Sequence, residues 1–271
     1  MIWSARKRTA TFLKGGNPSL EVPMGVVNKK ITVVMPAYNA AKTLGDTFQK
    51  IPRDYIHEII LVDDASFDDT FSRAQELGIH AIRHRHNLGY GGNQKTCYTE
   101  ALRRQADVVV MIHPDGQYDP EFLGLIVRPI LEGKAEIVLG SRMMDRKQAL
   151  KGGMPFYKFL ANIFLTSLEN LILGKNYSEY HTGYRAYSRR FLETVPFMRN
   201  SDDFVFDTEI LVQAVHFGMK IEEIPVTTRY FQEASSVGFK DSVIYGLKTL
   251  WVLSKYCLHR LNMIRCRLFL P

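Results

Sequence analysis

Three polar side chains, His113, Asp115 and Gln117, alternate directly after the apolar run Val108-Val109-Val110-Met111-Ile112. A run this short and valine-rich, closed at once by Pro114 and Gly116, reads as a fully buried strand ending in a polar turn. In open α/β sheets, ligands bind at that end of a strand. Placed on one side, the three would offer nitrogen and oxygen donors to a divalent cation held mainly by a diphosphate, which asks for only one or two protein carboxylates. The segment would serve equally as a strand that merely stops at an Asp-Gly turn. Its surroundings decide.

Two further apolar runs end in a similar way. In Met35-Pro36-Ala37-Tyr38-Asn39 the proline brings no N–H, so it is expected to stop the ladder and leave Ala37 to Asn39 in a turn. Leu61-Val62-Asp63-Asp64-Ala65-Ser66 sets two adjacent carboxylates where they can meet ribose hydroxyls and a base edge. Caps for the following helix are the plainer use, since Ser66, Asp68 and Asp69 all suit a helix start. Asp63 or Ser66 is expected to do that structural work, with Asp64 facing the ligand. The stretch Asn87–Lys95 is glycine-rich and opens a helix, so its backbone N–H groups, Gly91 among them, can face a phosphate. It lacks the spacing of a dinucleotide fingerprint or a P-loop, which counts against a nicotinamide oxidoreductase.

Elements of alternating type must position these residues. Strands are expected at Ile31–Met35, Glu58–Asp63, His80–Arg83, Asp107–His113 and Glu136–Gly140, with helices near Ala41–Lys50, Asp69–Leu77, Gly92–Arg104 and Glu121–Glu132 between them. Uninterrupted apolar strands alternating with amphipathic helices imply α/β architecture: a doubly wound, mostly parallel sheet with helices on both faces. After residue 141 the rhythm changes. Arg142–Gly153 reads as a mobile loop, followed by a helix at Pro155–Leu173, a strand at Tyr180–Ser188, a helix at Phe204–Phe217, a strand at Ile221–Tyr230 and a last helix at Asp241–Arg260. The expected organisation is a basic arm over 1–30, a catalytic domain over 31–230 and a C-terminal amphipathic basic helix with its tail over 231–271.

Charge is unevenly spread. Residues 1–30 carry six Lys or Arg against one acid, as do residues 240–271, while the net charge of the whole is +7, leaving the middle mildly acidic. Basic ends suit anionic lipid headgroups. No zinc knuckle, RNA-binding fingerprint or recognition helix is present, so nucleic acid is not the expected partner. The three cysteines, Cys97, Cys257 and Cys266, are widely spaced and form neither a metal pair nor a disulfide framework, which favours a reducing, cytoplasmic setting. No secretory signal is read at the start. Met154–Gly174 and Val243–Leu258 come nearest to a membrane span, but Lys158, Glu169, Lys248 and Lys255 interrupt them.

Taken together, Pro36-Ala37-Tyr38-Asn39, Val62–Thr70 and His113-Pro114-Asp115-Gly116-Gln117 resemble the strand-end motifs of the family 2 glycosyltransferases of GT-A fold. Gly140-Ser141-Arg142, Lys151-Gly152-Gly153 and Thr182-Gly183-Tyr184-Arg185-Ala186-Tyr187 narrow the likeness to the branch that contains dolichyl-phosphate mannose synthase and the polyprenyl-phosphate sugar transferases. The likeness covers about residues 31–230, in the expected order. It implies that Pro36, Ala37, Tyr38 and Asp64 hold the nucleotide of a UDP- or GDP-hexose. It also implies that Asp115 and Gln117 hold the Mg²⁺ or Mn²⁺ that clamps the diphosphate, and that Arg142 and Arg185 face phosphate groups. Asp207 matches an acid the family often has beside the acceptor, although charge compensation at a helix start would also explain it.

Two positions depart from the family pattern. His113 stands where the first carboxylate of the Asp-X-Asp motif is usual; imidazole is softer than carboxylate and favours Mn²⁺. Ala40 stands where an acid usually follows Tyr-Asn, which leaves the identity of a base open.

The expected function is that of a metal-dependent, inverting hexosyltransferase whose acceptor is a polyprenyl or dolichyl phosphate at the cytoplasmic membrane face. The helices at Pro155–Leu173 and Asp241–Arg260 carry wide apolar faces, suited to core packing, to the seam of a homodimer or to peripheral contact with a bilayer. Two alternatives are a transferase to a soluble or saccharide hydroxyl with Asp207 as base, and a nucleotide-sugar-binding module without turnover.

Overall fold

The computed structural model describes residues 29–229 and 238–271. The expected basic arm therefore lies outside the described residues except for Lys29 and Lys30, and Tyr230 of the expected last strand lies outside them too. In chain order the elements are β1 (Ile31–Ala37), α1 (Leu44–Gln49), β2 (Glu58–Asp63), α2 (Thr70–Glu76), β3 (His80–Arg83), α3 (Tyr90–Arg103), β4 (Val108–Met111) and α4 (Leu123–Leu131). There follow β5 (Ile137–Ser141), α5 (Arg146–Lys151), α6 (Phe156–Leu173), β6 (Arg185–Ser188), α7 (Arg189–Thr194), α8 (Phe206–His216), β7 (Ile221–Pro225) and α9 (Phe239–Arg260).

Among the described residues the strands form one seven-stranded sheet in the order β3-β2-β1-β4-β6-β5-β7. Period-two alternation sorts its side chains onto two faces. Val33, Met35, Ile59, Leu61, Val108, Val110 and Val138 face one way, under Leu44 of α1, Ala74 of α2 and the apolar side of α4. Val34, Ile60, Val62, Val109, Met111, Ile137 and Leu139 face the other, against Tyr98 of α3, Phe206 and Ile210 of α8, and Val252, Leu253 and Tyr256 of α9. Each such side chain contributes about 1.5–3 kcal/mol on burial. The result is three layers, helix, sheet, helix. The C-terminal helix is part of the same core rather than an appendage, and Leu268 and Phe269 after it join that core as well.

Strands β1, β2 and β4 run parallel, as do β5 and β7, while β6 runs antiparallel to both β4 and β5. The inserted β6 brings its first residue, Arg185, opposite Met111 and Leu139. The residues leading into β6 thus arrive at the same sheet edge at which β1, β2, β4 and β5 end.

Several local expectations change. Pro36 does not stop the ladder; it pairs with Val62 inside β1. The carbonyls of Ile31 and Ala37 accept from the β2 side and that of Val34 from the β4 side, so Pro36 faces β4. Its missing N–H costs nothing there, because the β1–β4 pairing ends at Val34 and Met111. The expected loop over Arg142–Gly153 contains a 3₁₀ turn, Met143–Asp145, and then α5. Asp145 caps α5 by accepting from Lys147 N and Gln148 N, each at 3.1 Å. The strand expected over Tyr180–Ser188 shrinks to Arg185–Ser188, and Ser188 caps the unforeseen α7 by accepting from Phe191 N at 3.1 Å.

Candidate active site

A cavity of about 630 Å³ opens at the sheet edge where the parallel strands end. Pro36, Ala37, Tyr38, Asp64, His113, Asp115, Gln117, Arg142 and Asp207 all line it. Gly91 and Arg185 do not. Further wall comes from α6 through Lys158, Asn162 and Leu165, and from α9 through Ser242 and Tyr245.

The loops after β1 and β2 hold each other in place. Asn39 N donates to Ser66 Oγ at 2.8 Å, Phe67 N to Asn39 Oδ1 at 2.9 Å, and Ala40 N to Thr70 Oγ1 at 2.7 Å. Tyr38 meets the cavity 48% exposed, edge-on to Phe67 with ring centroids 6.4 Å apart. Asp63 is fully buried, accepting from Ser66 N and paired with Arg83, which is the structural work expected of it. Asp64 reaches the cavity wall, but its carboxylate also accepts from Leu88 N at 2.8 Å and Gly89 N at 3.0 Å and lies 2.7 Å from His84 Nδ1. It pins the glycine-rich loop. That loop does not offer Gly91 to the cavity: the Gly91 N–H donates to Asp202 O at 2.8 Å, and a Cβ there would lie 2.3 Å from Ser201 O. Glycine is required at Gly91 because another backbone passes against it, not because a phosphate does.

After β4 the chain turns at Gly116, and Asp115 Oδ1 accepts from Gln117 N at 3.0 Å, making no other hydrogen bond or ion pair among the described residues. The His113 ring stacks on Tyr90 at 5.5 Å, and a Cβ on Gly183 would stand 3.0 Å from it. Among the described residues no group of three or more His, Cys, Asp or Glu is arranged to hold a metal. One carboxylate, one imidazole and one carboxamide around a single turn is nevertheless a donor set that suits a divalent cation such as Mn²⁺ whose other ligands are diphosphate oxygens.

Arg142 is anchored rather than loose. Its Nε donates to Glu179 Oε1 at 2.9 Å, its own backbone N–H to Glu179 Oε2 at 2.7 Å, and its guanidinium also reaches His181 O at 2.5 Å. Glu179 is fully buried, which by itself would raise its pKa; the charge and hydrogen bonds of Arg142, with Asn162, outweigh burial and hold it below the usual carboxylate range.

Arg185 departs from the expectation that it faces phosphate. It is fully buried, and its guanidinium donates to the carbonyls of Thr182 at 2.7 Å, Tyr180 at 3.0 Å and Asp207 at 3.2 Å. It also lies 3.2 Å from Asp207 Oδ1. Burial alone would lower its pKa, but the Asp207 carboxylate reverses that and keeps it charged. The antiparallel entry into β6 turns Arg185 beneath the cavity floor. There it orients Asp207.

Tyr90 and Gln94, one helical turn apart on α3, complete that carboxylate's surroundings: Tyr90 Oη donates to Asp207 Oδ2 at 2.9 Å and Gln94 Nε2 to Oδ1 at 3.1 Å. Burial, then the adjacent Asp207 charge, pushes the Tyr90 hydroxyl well up, so it remains a proton donor. The sequence does not mark these two, or Glu179, Asn162 and Lys158, as site residues. The Tyr90–Gln94 spacing was the one signal present, hidden in what looked like a glycine loop.

Residues 32–195 match the sequence profile of Glycosyl transferase family 2. An uncharacterized protein of Methanocaldococcus jannaschii is 32% identical, over 84% of this chain and 92% of its own length. A UDP-N-acetylglucosamine–dolichyl-phosphate N-acetylglucosaminyltransferase of Methanococcus voltae is 27% identical, over 84% of this chain and 96% of its own. A polyprenol monophosphomannose synthase of Mycolicibacterium smegmatis is 26% identical, over 73% of this chain and 77% of its own. Among solved structures, glucosyl-3-phosphoglycerate synthase of Mycobacterium tuberculosis, in complex with Mn²⁺, UDP-glucose and phosphoglyceric acid, superposes with a TM-score of 0.69 over 91% of this chain and 86% of that one, at 19% identity. The likeness is one of fold.

Proposed function

The chain belongs to Glycosyl transferase family 2, and from that premise we propose that it moves a hexose, with inversion, from a UDP- or GDP-sugar to a polyprenyl phosphate. The observation that carries this reading is the meeting of Asp115, Arg142 and Asp207 in one cavity at the C-terminal edge of the sheet. Relatives whose names state lipid-phosphate acceptors support the acceptor class.

Breaking the sugar–diphosphate bond develops negative charge on the leaving nucleotide. Asp115 and Gln117, with His113, would hold the Mg²⁺ or Mn²⁺ that offsets it, consistent with the metals in solved relatives of this fold. Arg142, held in one orientation by Glu179, adds a preorganised positive charge that needs no rearrangement during reaction. Tyr38 and Asp64, which line the cavity, would meet the nucleoside. A lipid phosphate is already ionised at neutral pH and needs no base. A hydroxyl acceptor would need one, and Asp207, oriented by Arg185, Tyr90 and Gln94, is the residue built for it.

Placement at the cytoplasmic membrane face is part of the proposal. The outer sides of α6 and α9 expose Phe156, Leu160, Phe164, Leu247 and Trp251, a large apolar surface for a water-exposed pair of helices. No helix of the described residues is long and apolar enough to cross a membrane. Lys248 and Lys255, which interrupt the apolar stretch, pair with Asp203 and Glu209 and latch α9 to the start of α8.

The test is transfer from a panel of UDP- and GDP-hexoses, with Mn²⁺ or Mg²⁺, to undecaprenyl phosphate in anionic vesicles. The reading expects sugar in the lipid phase with inverted anomeric configuration, and its loss in Asp115→Ala. A donor that binds and stays intact with every acceptor would make the protein a binding module instead. Transfer to saccharide hydroxyls alone, abolished by Asp207→Asn, would move the acceptor to the second class.

A further inference from the structure

We infer that Lys158 holds the phosphate of the acceptor, and so selects a phosphate acceptor over a hydroxyl; this rests on the transfer reaction proposed above. In sequence Lys158 looks like a charge interrupting an apolar stretch. In the fold it belongs to the face of α6 that lines the cavity, together with Ala161, Asn162 and Leu165 at helical spacing. The neighbouring face carries Phe156, Leu160 and Phe164 outward into solvent. An ammonium at this seam stands where a phosphate attached to a lipid chain would come to rest.

The ammonium of Lys158 has no paired counter-charge among the described residues. It makes no hydrogen bond and no ion pair with any of them. Burial, and then the charge of Arg142, pull its pKa below the ordinary lysine value. Glu179 offsets Arg142 but does not reach Lys158. A lysine in the first turn of a helix also opposes the helix dipole. An acceptor oxyanion held by Lys158 would relieve all three costs. Asp115, Asp203 and Asp207 in the remaining wall would repel a phosphate, so cations at its docking point are a requirement.

The strand order separates this point from the nucleoside. Asp64 follows β2 and Arg142 follows β5, with β1, β4 and β6 between them, a span of roughly 19 Å at about 4.8 Å per strand spacing. Asp115, after β4, lies between. The Arg142 end of the cavity is thus remote from the base, so that Arg142 serves the leaving diphosphate and Lys158, on α6, the approaching acceptor.

The experiment measures both substrates' kinetics in Lys158→Met, Lys158→Gln and Lys158→Arg, each first matched to the wild type by thermal unfolding. With undecaprenyl phosphate the inference expects acceptor KM to rise 10- to 100-fold in the Met and Gln variants, the loss of a charged hydrogen bond. Donor KM should stay within about twofold, and Lys158→Arg should recover most of the acceptor KM. Farnesyl phosphate should compete with the acceptor against the wild type but only weakly against Lys158→Met; farnesol, with the same chain, should show no such difference. A rise in donor KM instead would place Lys158 on the donor diphosphate and overturn the inference, as would an unchanged acceptor KM. Absence of lipid transfer by the wild type overturns the proposed function itself, a separate outcome.

Discussion

The Tyr90 hydroxyl donates to Asp207 Oδ2 at 2.9 Å across 117 residues of sequence, joining the first turn of α3 to the first turn of α8. Gln94 and Arg185 take the other carboxylate oxygen, so Asp207 is held from three directions at the cavity wall. A carboxylate gripped this way is oriented before any acceptor arrives.

Tyr90→Phe tests that grip. It removes one donor and leaves Gln94 and Arg185, so the fold should lose only about 1–2 kcal/mol by chemical denaturation. If Asp207 must be oriented for transfer, kcat should drop about tenfold with acceptor KM little changed, an orientation effect of about 1.4 kcal/mol. Unaltered kcat would show that Asp207 orientation does not matter to the reaction.

His113→Asp restores a carboxylate where the family pattern has one. A harder ligand should raise affinity for Mg²⁺ relative to Mn²⁺, read as the ratio of activities with each metal at saturating donor. A metal preference identical to that of the wild type would show that the residue does not reach the cation.

Arg185→Met leaves buried Asp207 without its counter-charge and removes one donor from each of three carbonyls. Breaking a buried pair from one side should cost about 3–5 kcal/mol, measured as a lower denaturation midpoint. Nearly unchanged stability with lost activity would instead support the original expectation that Arg185 meets phosphate.

Glu179 sets a pH dependence. Its folded-state pKa lies below the ordinary value of 4.5, so the folded protein binds fewer protons at this site than the unfolded chain does. Its contribution to stability is therefore complete above about pH 4.5 and is lost as pH falls through the depressed value. Glu179→Gln should be less stable at neutral pH, and the gap to the wild type should narrow on acidification. A gap that widens below pH 4.5 would contradict the assignment.

Much of this protein could be read from residue order alone. Valine-rich runs closed by polar turns specify buried parallel strands, because only strands shielded on both faces tolerate uninterrupted apolar residues; β2 and β3 begin and end where the spacing predicts. The same logic places Pro36 to Tyr38, Asp64, His113 and Asp115 at one edge, since parallel strands share an end. Side-chain direction at long range was not legible. Arg142 and Arg185 look alike in sequence, yet one follows a parallel strand into the cavity and the other opens an antiparallel strand inserted between two neighbours, which turns it under the floor. Gly91 meets a loop more than a hundred residues away, and Lys158 feels the charge of Arg142 only because α6 lines the same cavity. Local pattern encodes an element and its buried face. Which distant charge each polar group meets is decided only when the chain closes, because those contacts depend on strand order, and no periodicity in the sequence carries strand order.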